Sequence, residues 1–314
     1  WYAREGAPPA PARLMALPQR LGEMPIADFL RAIRSGGAIF GRVPPMAPRF
    51  GGDVYLLTDR RSASASEPLA ELLQRTGRAT LVGENTAGAM LAGPPDVLAD
   101  GWVLVVPEAD YWTADGKRLE GVGVAPDVPT RRDSALLAVA ERIAARDAYA
   151  GALLRGAAHA DGGRWADAER AYADAMRLAP DSTAPRLGLA RALQERRAWG
   201  DAFAQAEWVL ARAPGSPDGR MARYQVGRIA ALSGERLARA DTLLRAYLAN
   251  APTPGTPLLG LAGAAAARWR LGQALEHLGR LDEAHAELLA ATRLDPDDPF
   301  MQASLRGVER ALAR

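Results

Sequence analysis

Apolar positions in the first half of the chain fall in short runs separated by polar breaks. A run at 53–58 ends in the polar residues 59–61, and small residues then open a helical pattern. Further runs at 79–83 and 102–107 are equally short and rich in β-branched side chains. Short apolar runs bounded by polar turns predict strands, so residues 50–146 are predicted to form a mixed α/β unit.

The helical pattern that follows the first run has a recognisable start and end. Pro68 falls in its first turn, where the missing N–H is not needed, and Gly77 is a suitable C-terminal stop. Leu69, Leu72 and Leu73 recur at helical spacing and predict a buried stripe.

The break between this run and its helix carries three serines, in the sequence SASASE at 62–67. A serine at the apex of a strand-to-helix turn projects its hydroxyl beside the free N–H groups of the new helix. Such N–H groups can hold an oxyanion, which is the geometry that a nucleophilic serine needs. Ser and Ala are also ordinary N-cap and first-turn residues, so the turn alone leaves both interpretations open.

Residues 1–49 are predicted to be a loop-rich lead-in. The segment 4–18 is rich in Pro and Ala and is expected to be loop. Residues 25–33 predict a short amphipathic helix, and the glycines at 36–37 are interpreted as a helix C-cap.

Residues 147–314 change to an alanine-rich helical periodicity with an internal repeat. Four alanines are each followed twelve residues later by a proline and preceded three residues earlier by a bulky apolar residue. These alanines are Ala168, Ala202, Ala240 and Ala284; the prolines are Pro180, Pro214, Pro252 and Pro296; the bulky residues are Trp165, Trp199, Leu237 and Leu281. The first two units are 34 residues apart, which is the tetratricopeptide (TPR) period.

The repeat predicts an all-α solenoid of helix pairs. Alanine lets the two helices of a unit approach closely, the bulky residue fills the space between units, and proline stops the second helix. Units three and four are separated by an expanded loop at 251–260, and residues 300–314 are expected to form a cap helix.

Stacked helix pairs form a concave groove that typically binds an extended peptide or a partner protein's helix. Polar residues of the first helices are the candidate ligand-binding positions, although the same residues would also suit a merely solvated surface. The candidates are Arg191, Gln194, Tyr224, Arg228 and Gln273, with Arg186 and Gln225 on the same predicted helices.

Composition restricts the classes of function. The chain has 314 residues, 48% of them apolar, which is enough for two domains with real cores. A net charge of +2 argues against nucleic acid as a partner. The absence of cysteine excludes disulfides and thiolate chemistry, and the sequence shows neither metal-ligand spacing nor a phosphate-binding loop, so no metal or cofactor is expected. No membrane span is predicted.

Three motifs in order give the first half a family resemblance. The sequences SASASE at 62–67, GRATLVGENTAGA at 77–89 and LEGVGVAPDV at 119–128 resemble the C-terminal processing (tail-specific) protease family, in its tricorn-like and retinoid-binding-module-like branch. The resemblance implies a ClpP/crotonase-like fold, of which residues 50–146 would be the C-terminal part. It also implies an exported or periplasmic protein that cleaves polypeptides.

Catalytic roles follow from the resemblance, position by position. Ser64 matches the family nucleophile, the Ala65 N–H matches an oxyanion-hole donor, and Glu120 matches the acidic residue of the tricorn-like branch. The processing-protease branch instead uses a lysine base, and its position is occupied here by Ala89. The only lysine of the chain, Lys117, lies in a polar turn signal and matches no family base.

The histidine count leaves Ser64 without a general base. The chain has three histidines, His159, His277 and His285, all within the predicted repeats and none a credible partner for the serine. Residues 1–49 also lack the family's Asp-Leu-Arg-x-Asn-x-Gly-Gly segment, which supplies the second oxyanion donor, because no buried strand leads into the glycines at 36–37. The chain is therefore expected to be an N-terminally incomplete part of a larger protein, and inactive by itself.

Two hypotheses remain open. In the first, the parent protein is a serine-type peptidase that forms an acyl-enzyme and uses its TPR module to recruit a polypeptide substrate or partner protein. In the second, the protease-like fold is a noncatalytic platform and the TPR array is the working part.

Overall fold

The computed structural model describes residues 2–4, 14–16, 38–40, 50–91, 95–107, 109–113, 115–249 and 263–314. The chain folds into two compact units, Trp1–Val139 and Ala140–Arg314. The helix expected at 25–33, the glycine C-cap at 36–37 and the expanded loop at 251–260 lie outside the described residues.

The first unit contains short strands at positions where no apolar run predicted one. They are β1 (Tyr2–Arg4), β2 (Leu14–Ala16), β3 (Ala38–Phe40), β6 (Pro95–Val97) and β8 (Ala109–Tyr111). Strand β7 (Val103–Val105) lies within the apolar run at 102–107, as predicted. A four-stranded sheet has the order β2-β3-β1-β8, and β6 pairs antiparallel with β7. The expectation of a loop at 4–18 is therefore wrong for Leu14–Ala16, because a three-residue strand is too short to show a period of two.

The serine motif at 62–67 follows a strand of a parallel sheet and leads into the helix that connects this strand to the next. Strand β4 (Tyr55–Thr58) pairs in parallel with β5 (Thr80–Gly83), and β5 pairs in parallel with β9 (Val128–Pro129). Helix α1 (Ser66–Arg75) connects β4 to β5, as a parallel pair requires. Gly77, at φ +64°, follows the helix end as predicted.

The predicted leucine stripe of α1 is also wrong. Leu69 is 51% exposed and Leu72 is 46% exposed, whereas Glu67 and Ala70 are buried. The helix is rotated so that the Glu67 carboxylate points inward, where backbone N–H groups bind it. Ala70 packs in the unit's apolar core with Leu81 and Leu119.

The second unit is all-α and carries four consecutive helix pairs. The helices are α2 (Ala135–Ala144), which spans the division between the units, and then α3 (Ala148–Asp161), α4 (Trp165–Leu178), α5 (Ala184–Glu195), α6 (Trp199–Arg212), α7 (Pro217–Ser233), α8 (Leu237–Leu248), α9 (Ala264–His277), α10 (Leu281–Leu294) and α11 (Pro299–Leu312). Among the described residues, no helix is long and apolar enough to cross a membrane.

The repeat signature predicts the helix pairs correctly. The four repeat alanines are fully buried, and the bulky residue three positions earlier begins the second helix of each pair and packs against the common core. Each second helix ends before the repeat proline, and α11 forms where the cap helix was expected. The α/β first part and the all-α solenoid that follows it are both confirmed.

Enlarging one repeat alanine should destabilise the second unit. Ala202 is 0% exposed, so Ala202→Leu would overpack the α5–α6 interface and lower the free energy of unfolding by about 1–3 kcal/mol. Ala204 is exposed on the same helix, and Ala204→Leu should change stability by less than about 0.5 kcal/mol. Urea denaturation followed by circular dichroism measures both variants. Equal changes in the free energy of unfolding for the two variants would show that Ala202 does not limit how closely α5 and α6 approach.

Candidate active site

Ser64 stands in a backbone conformation that L-residues rarely adopt. Its φ is +56°, in the left-handed region, and it lies between the end of β4 and the start of α1. A non-glycine residue there costs about 1 kcal/mol or more and persists only where the surroundings fix it. The turn that the small residues predicted is therefore tight and strained at one residue, Ser64.

The hydroxyl of Ser64 differs from those of the neighbouring serines. Ser66 donates its Oγ–H to the Ala63 carbonyl at 2.7 Å, and the Ser62 Oγ accepts from the Asp59 N–H at 3.1 Å. The Ser64 Oγ has no hydrogen-bond partner within the described part of the chain, and the residue is exposed. Only the middle serine thus presents a free hydroxyl.

The backbone amide that follows Ser64 is also available. Ala65 is the N-cap residue of α1, with φ −56° and ψ −21°, and is exposed. Its N–H donates to no acceptor among the residues that the structure describes. A free N–H next to a free hydroxyl, at a helix N-terminus, is the arrangement that holds an oxyanion.

Glu67 fixes this turn, and sequence reasoning missed it. Its side chain is fully buried and accepts four hydrogen bonds. The Oε1 atom accepts from the Thr86 Oγ1–H at 2.6 Å and the Gly88 N–H at 2.7 Å. The Oε2 atom accepts from the Ala89 N–H at 2.9 Å and the Ser64 N–H at 3.1 Å. A single carboxylate therefore joins the serine turn to the loop at 84–89.

The signal that could have identified Glu67 is the spacing Ser-x-x-Glu, which is typical of a capping box. In a full capping box the serine hydroxyl bonds to the N–H of the glutamate. Here the backbone carbonyl of Ser64 accepts that N–H at 2.9 Å, so only the glutamate half of the box forms. The Ser64 hydroxyl is left unused.

Backbone bonds hold the two segments together independently of Glu67. The Ser64 N–H also donates to the Ala89 carbonyl at 3.1 Å, and the Ala87 N–H donates to the Ser62 carbonyl at 2.9 Å. Ala89, at the family's lysine position, is exposed and lies directly beside the serine turn.

The third motif packs against the same loop. The Val124 N–H donates to the Thr86 Oγ1 at 2.7 Å. Gly88 has φ +70°, and a Cβ there would lie 2.8 Å from the Val122 N, so the approach of the two loops requires glycine. All three sequence motifs thus converge on one loop cluster.

Glu120 contacts the residues that directly follow Ala89 in this cluster. Its Oε2 accepts from the Met90 N–H at 2.5 Å and the Leu91 N–H at 3.0 Å. Its Oε1 accepts no hydrogen bond from any described residue, and none of the hydrogen bonds found there joins Glu120 to Ser64. Glu120 therefore fixes the loop after Ala89 with one oxygen and leaves the other open.

Lys117, the single lysine of the sequence, has another partner. Lys117 lies in the predicted polar turn, 2.8 Å from Asp115. Hydrogen bonds from Lys117 and Thr113 lower the pKa of Asp115 to about 2, and Asp115 raises the pKa of Lys117 in return. Lys117 is therefore a protonated ion-pair partner and not a free base.

The three histidines all belong to helices of the second unit. His159 Nδ1 accepts from the Arg164 Nε–H at 3.1 Å, and burial lowers the pKa of His159. His285 Nε2 lies 3.6 Å from a Glu309 oxygen. No group of three potential metal ligands occurs in the described ranges.

The structure brings some of the groove candidates together. Gln194 and Arg228 line one pocket of the second unit, and Gln273 accepts a hydrogen bond at 2.8 Å from Arg270, which lines it as well. The ring of Tyr224 lies 5.6 Å from that of Tyr247. Arg191 does not line this pocket; its guanidinium lies 5.7 Å from the Trp165 ring.

The two remaining polar positions on these helices are occupied by internal contacts. Arg186 stacks on Trp208 at 3.8 Å and donates to Gln205 at 2.9 Å. Gln225 donates to the Leu187 carbonyl at 3.1 Å. Both positions therefore contribute to packing between helices.

Comparison with known proteins assigns both parts. The sequence model of Peptidase family S41 matches residues 23–130, and a tetratricopeptide repeat model matches residues 265–298. The chloroplastic carboxyl-terminal-processing peptidase 3 of Arabidopsis thaliana is 42% identical over 75 residues, which cover 24% of this chain and 14% of that protein. The carboxyl-terminal-processing protease of Synechocystis is 40% identical over 74 residues, covering 24% and 17%.

Two solved structures show limited similarity to this chain. A structure of MamA AMB-1 is 23% identical and covers 51% of this chain and 86% of its own, with a TM-score of 0.41. A thermophilic TPR protein of Thermus thermophilus is 18% identical and covers 56% and 90%, with a TM-score of 0.43. The family resemblance is confirmed, while the choice of branch stays a prediction. The chain carries a Peptidase family S41 domain followed by tetratricopeptide repeats.

Proposed function

We propose that this chain supplies the nucleophile of a serine-type peptidase whose repeats recruit a polypeptide substrate or a partner protein. The observation that carries the proposal is the turn at Ser64. It combines a left-handed backbone, an exposed hydroxyl without a partner among the described residues, and a free neighbouring N–H. A serine at the start of a helix ordinarily bonds the helix with its hydroxyl, and Ser64 does not.

The proposed reaction is peptide-bond hydrolysis through an acyl-enzyme. The Ser64 Oγ attacks the scissile carbonyl carbon and transfers its proton to a general base. The oxyanion that forms accepts a hydrogen bond from the Ala65 N–H. Expulsion of the amine leaves an ester on Ser64, and water then hydrolyses this ester.

The general base is proposed to come from outside these 314 residues. Lys117 is paired with Asp115, and the family resemblance assigns the base role to none of the three histidines, which belong to the repeat helices. The open Oε1 of Glu120 is suited to accept the N–H of a histidine and fix its orientation. Glu120 would thus be a positioning residue.

A noncatalytic scaffold is the second candidate, favoured by the same lack of a base. In that case the S41 fold would only position the repeats, and Ser64 would have no chemical role. The two functions differ in whether the Ser64 hydroxyl becomes nucleophilic once a base is provided.

Ala89→Lys provides that base within the chain. Position 89 adjoins the Ser64 backbone, so a lysine there should raise the rate of fluorophosphonate labelling by about 10²–10⁴-fold, the usual contribution of a positioned base. Intact-protein mass spectrometry measures the rate. Ala87→Lys adds the same charge at another exposed residue of the loop and should leave the rate near that of the unaltered chain.

Adding Ser64→Ala to the Ala89→Lys variant should remove the labelling. If Ala89→Lys labels no faster than Ala87→Lys, or if the label persists without Ser64, the peptidase assignment is wrong and the scaffold is favoured.

A further inference from the structure

The turn between α3 and α4 places a histidine between an arginine and an aspartate. His159 lies in the last turn of α3, and its side chain is 21% exposed. Its Nδ1 accepts a hydrogen bond from the Arg164 Nε–H at 3.1 Å, and the Asp167 Oδ2 lies 3.9 Å from the same nitrogen. One ring nitrogen therefore faces both a donor and an acceptor.

The hydrogen bond from Arg164 fixes the protonation state of His159. A guanidinium carries only N–H donors, so the ring nitrogen that it contacts must offer a lone pair. Nδ1 is therefore unprotonated, and the imidazole is neutral. A proton on Nδ1 would point at the Arg164 donor and would have to bond the Asp167 carboxylate instead. The two contacts exclude each other, because one nitrogen cannot accept and donate at the same time.

Arg164 depends on this acceptor. It is the N-cap residue of α4, and its side chain lies against the turn, where a Cβ on Gly162 would lie 3.1 Å from Nη1. Its Nη2 is buried and has no hydrogen-bond partner in the described part of the chain. Loss of the His159 acceptor would leave a second donor of the same half-buried side chain unpaired, which is unfavourable.

The charges around His159 keep it neutral near pH 7. Burial lowers the pKa of His159 below its ordinary value of 6.5; Asp167 raises the pKa, and Arg164, Arg170 and Arg155 lower it. These charges come from the turn, from α4 and from α3 itself. Helix α5 also packs on α3 and adds none of them.

We propose that His159 is a pH-sensitive switch in the first helix pair, which holds Arg164 when neutral and releases it to bond Asp167 when protonated. Because the pKa is lower in the folded chain than in the unfolded chain, the unfolded chain binds the proton more readily. The stability of the closed turn is therefore complete above about pH 6.5 and falls as the pH drops below that value.

The second helix pair provides an internal control. The positions 34 residues after His159 and Arg164 are Leu193 and Ala198, neither of which titrates. The same backbone bond forms in both turns: the Arg164 N–H donates to the His159 carbonyl at 2.8 Å, and the Ala198 N–H donates to the Leu193 carbonyl at 2.9 Å. The pH response should therefore be confined to the first of these turns.

The test is an NMR titration of the unaltered 314-residue chain from about pH 8 to about pH 4.5. The Arg164 Nε–H should lose about tenfold of its protection from exchange with water, at the same midpoint as the His159 ring and below pH 6.5. The Arg164 backbone amide should lose protection with it, after correction for the intrinsic pH dependence of exchange. The Ala198 amide should keep its protection.

Variants assign the transition to His159. His159→Gln provides an acceptor that cannot be protonated, so protection of Arg164 should no longer depend on pH. Asp167→Asn removes the acceptor of the protonated state and should move the His159 midpoint to lower pH. His285 lies on α10, and His285→Gln should leave the Arg164 transition unchanged.

The titration of the unaltered chain decides the inference even if a variant fails to fold. A protected Arg164 Nε–H that does not change while His159 titrates would overturn the switch, as would a His159 midpoint at or above pH 6.5. Equal loss of protection at Ala198 would also overturn it, because acid would then loosen the helix pairs generally.

Discussion

Replacing Ser64 with alanine should abolish peptide cleavage by a protein that contains this chain together with its general base. Disabling a serine–base pair costs on the order of a million-fold in kcat. Ser64→Ala should therefore leave only the residual rate provided by binding and by the Ala65 N–H. The measurement is kcat and KM for a fluorogenic peptide, and KM should change little.

The neighbouring serines provide matched controls. The Ser62 and Ser66 hydroxyls already form hydrogen bonds with Asp59 and Ala63. Ser62→Ala and Ser66→Ala should therefore each remove a local hydrogen bond without removing the nucleophile. Each should retain kcat within about tenfold, the equivalent of roughly 1 kcal/mol. A Ser64→Ala variant that cleaves as fast as these controls would exclude Ser64 as the nucleophile.

Replacing Glu67 with glutamine should destabilise the first unit and release the serine turn. All four partners of the carboxylate are donors, so the amide NH₂ of glutamine must face two of them. Each buried donor left without an acceptor costs about 1–3 kcal/mol. If the NH₂ faces the Ser64 and Ala89 amides, the Ser64 N–H keeps the Ala89 carbonyl as its acceptor, so the free energy of unfolding should fall by about 1–3 kcal/mol. Native-state hydrogen exchange of the Ser64, Gly88 and Ala89 amides measures the local effect.

The control for Glu67 lies on the same helix. Glu71 pairs with Arg75 one turn later, and pairs at this i,i+4 helix spacing contribute about 0.3–0.5 kcal/mol. Glu71→Gln should change the free energy of unfolding by less than about 0.5 kcal/mol. If Glu67→Gln and Glu71→Gln are equally mild, the buried carboxylate does not fix the turn.

The repeat helices could be predicted from the sequence because the residues that define them lie within a single repeat or its neighbour. Ala168, Ala202, Ala240 and Ala284 are buried for the reason that their spacing indicated, since each repeat contacts mainly its neighbours. The groove was less predictable. Polar residues on first helices look alike in sequence, and only the fold shows that Arg186 stacks on Trp208.

The peptidase half depends on contacts between distant segments. The position of Ser64 after a strand was visible in the sequence, but its left-handed backbone depends on a loop more than twenty residues later. The same contacts turn Glu67 inward and leave Leu69 exposed, which reverses the pattern that periodicity suggests. Arg270 was not a candidate because nothing local indicates that it lines the same pocket as Arg228.

We propose that the turn at Ser64 presents a nucleophile beside an oxyanion donor. The most direct measurement is a crystal structure of the Ala89→Lys variant after reaction with a fluorophosphonate. We expect a phosphonyl group on the Ser64 Oγ, with its phosphoryl oxygen about 2.7–3.1 Å from the Ala65 N. An adduct on another serine, or a phosphoryl oxygen that does not contact the Ala65 N–H, would contradict it.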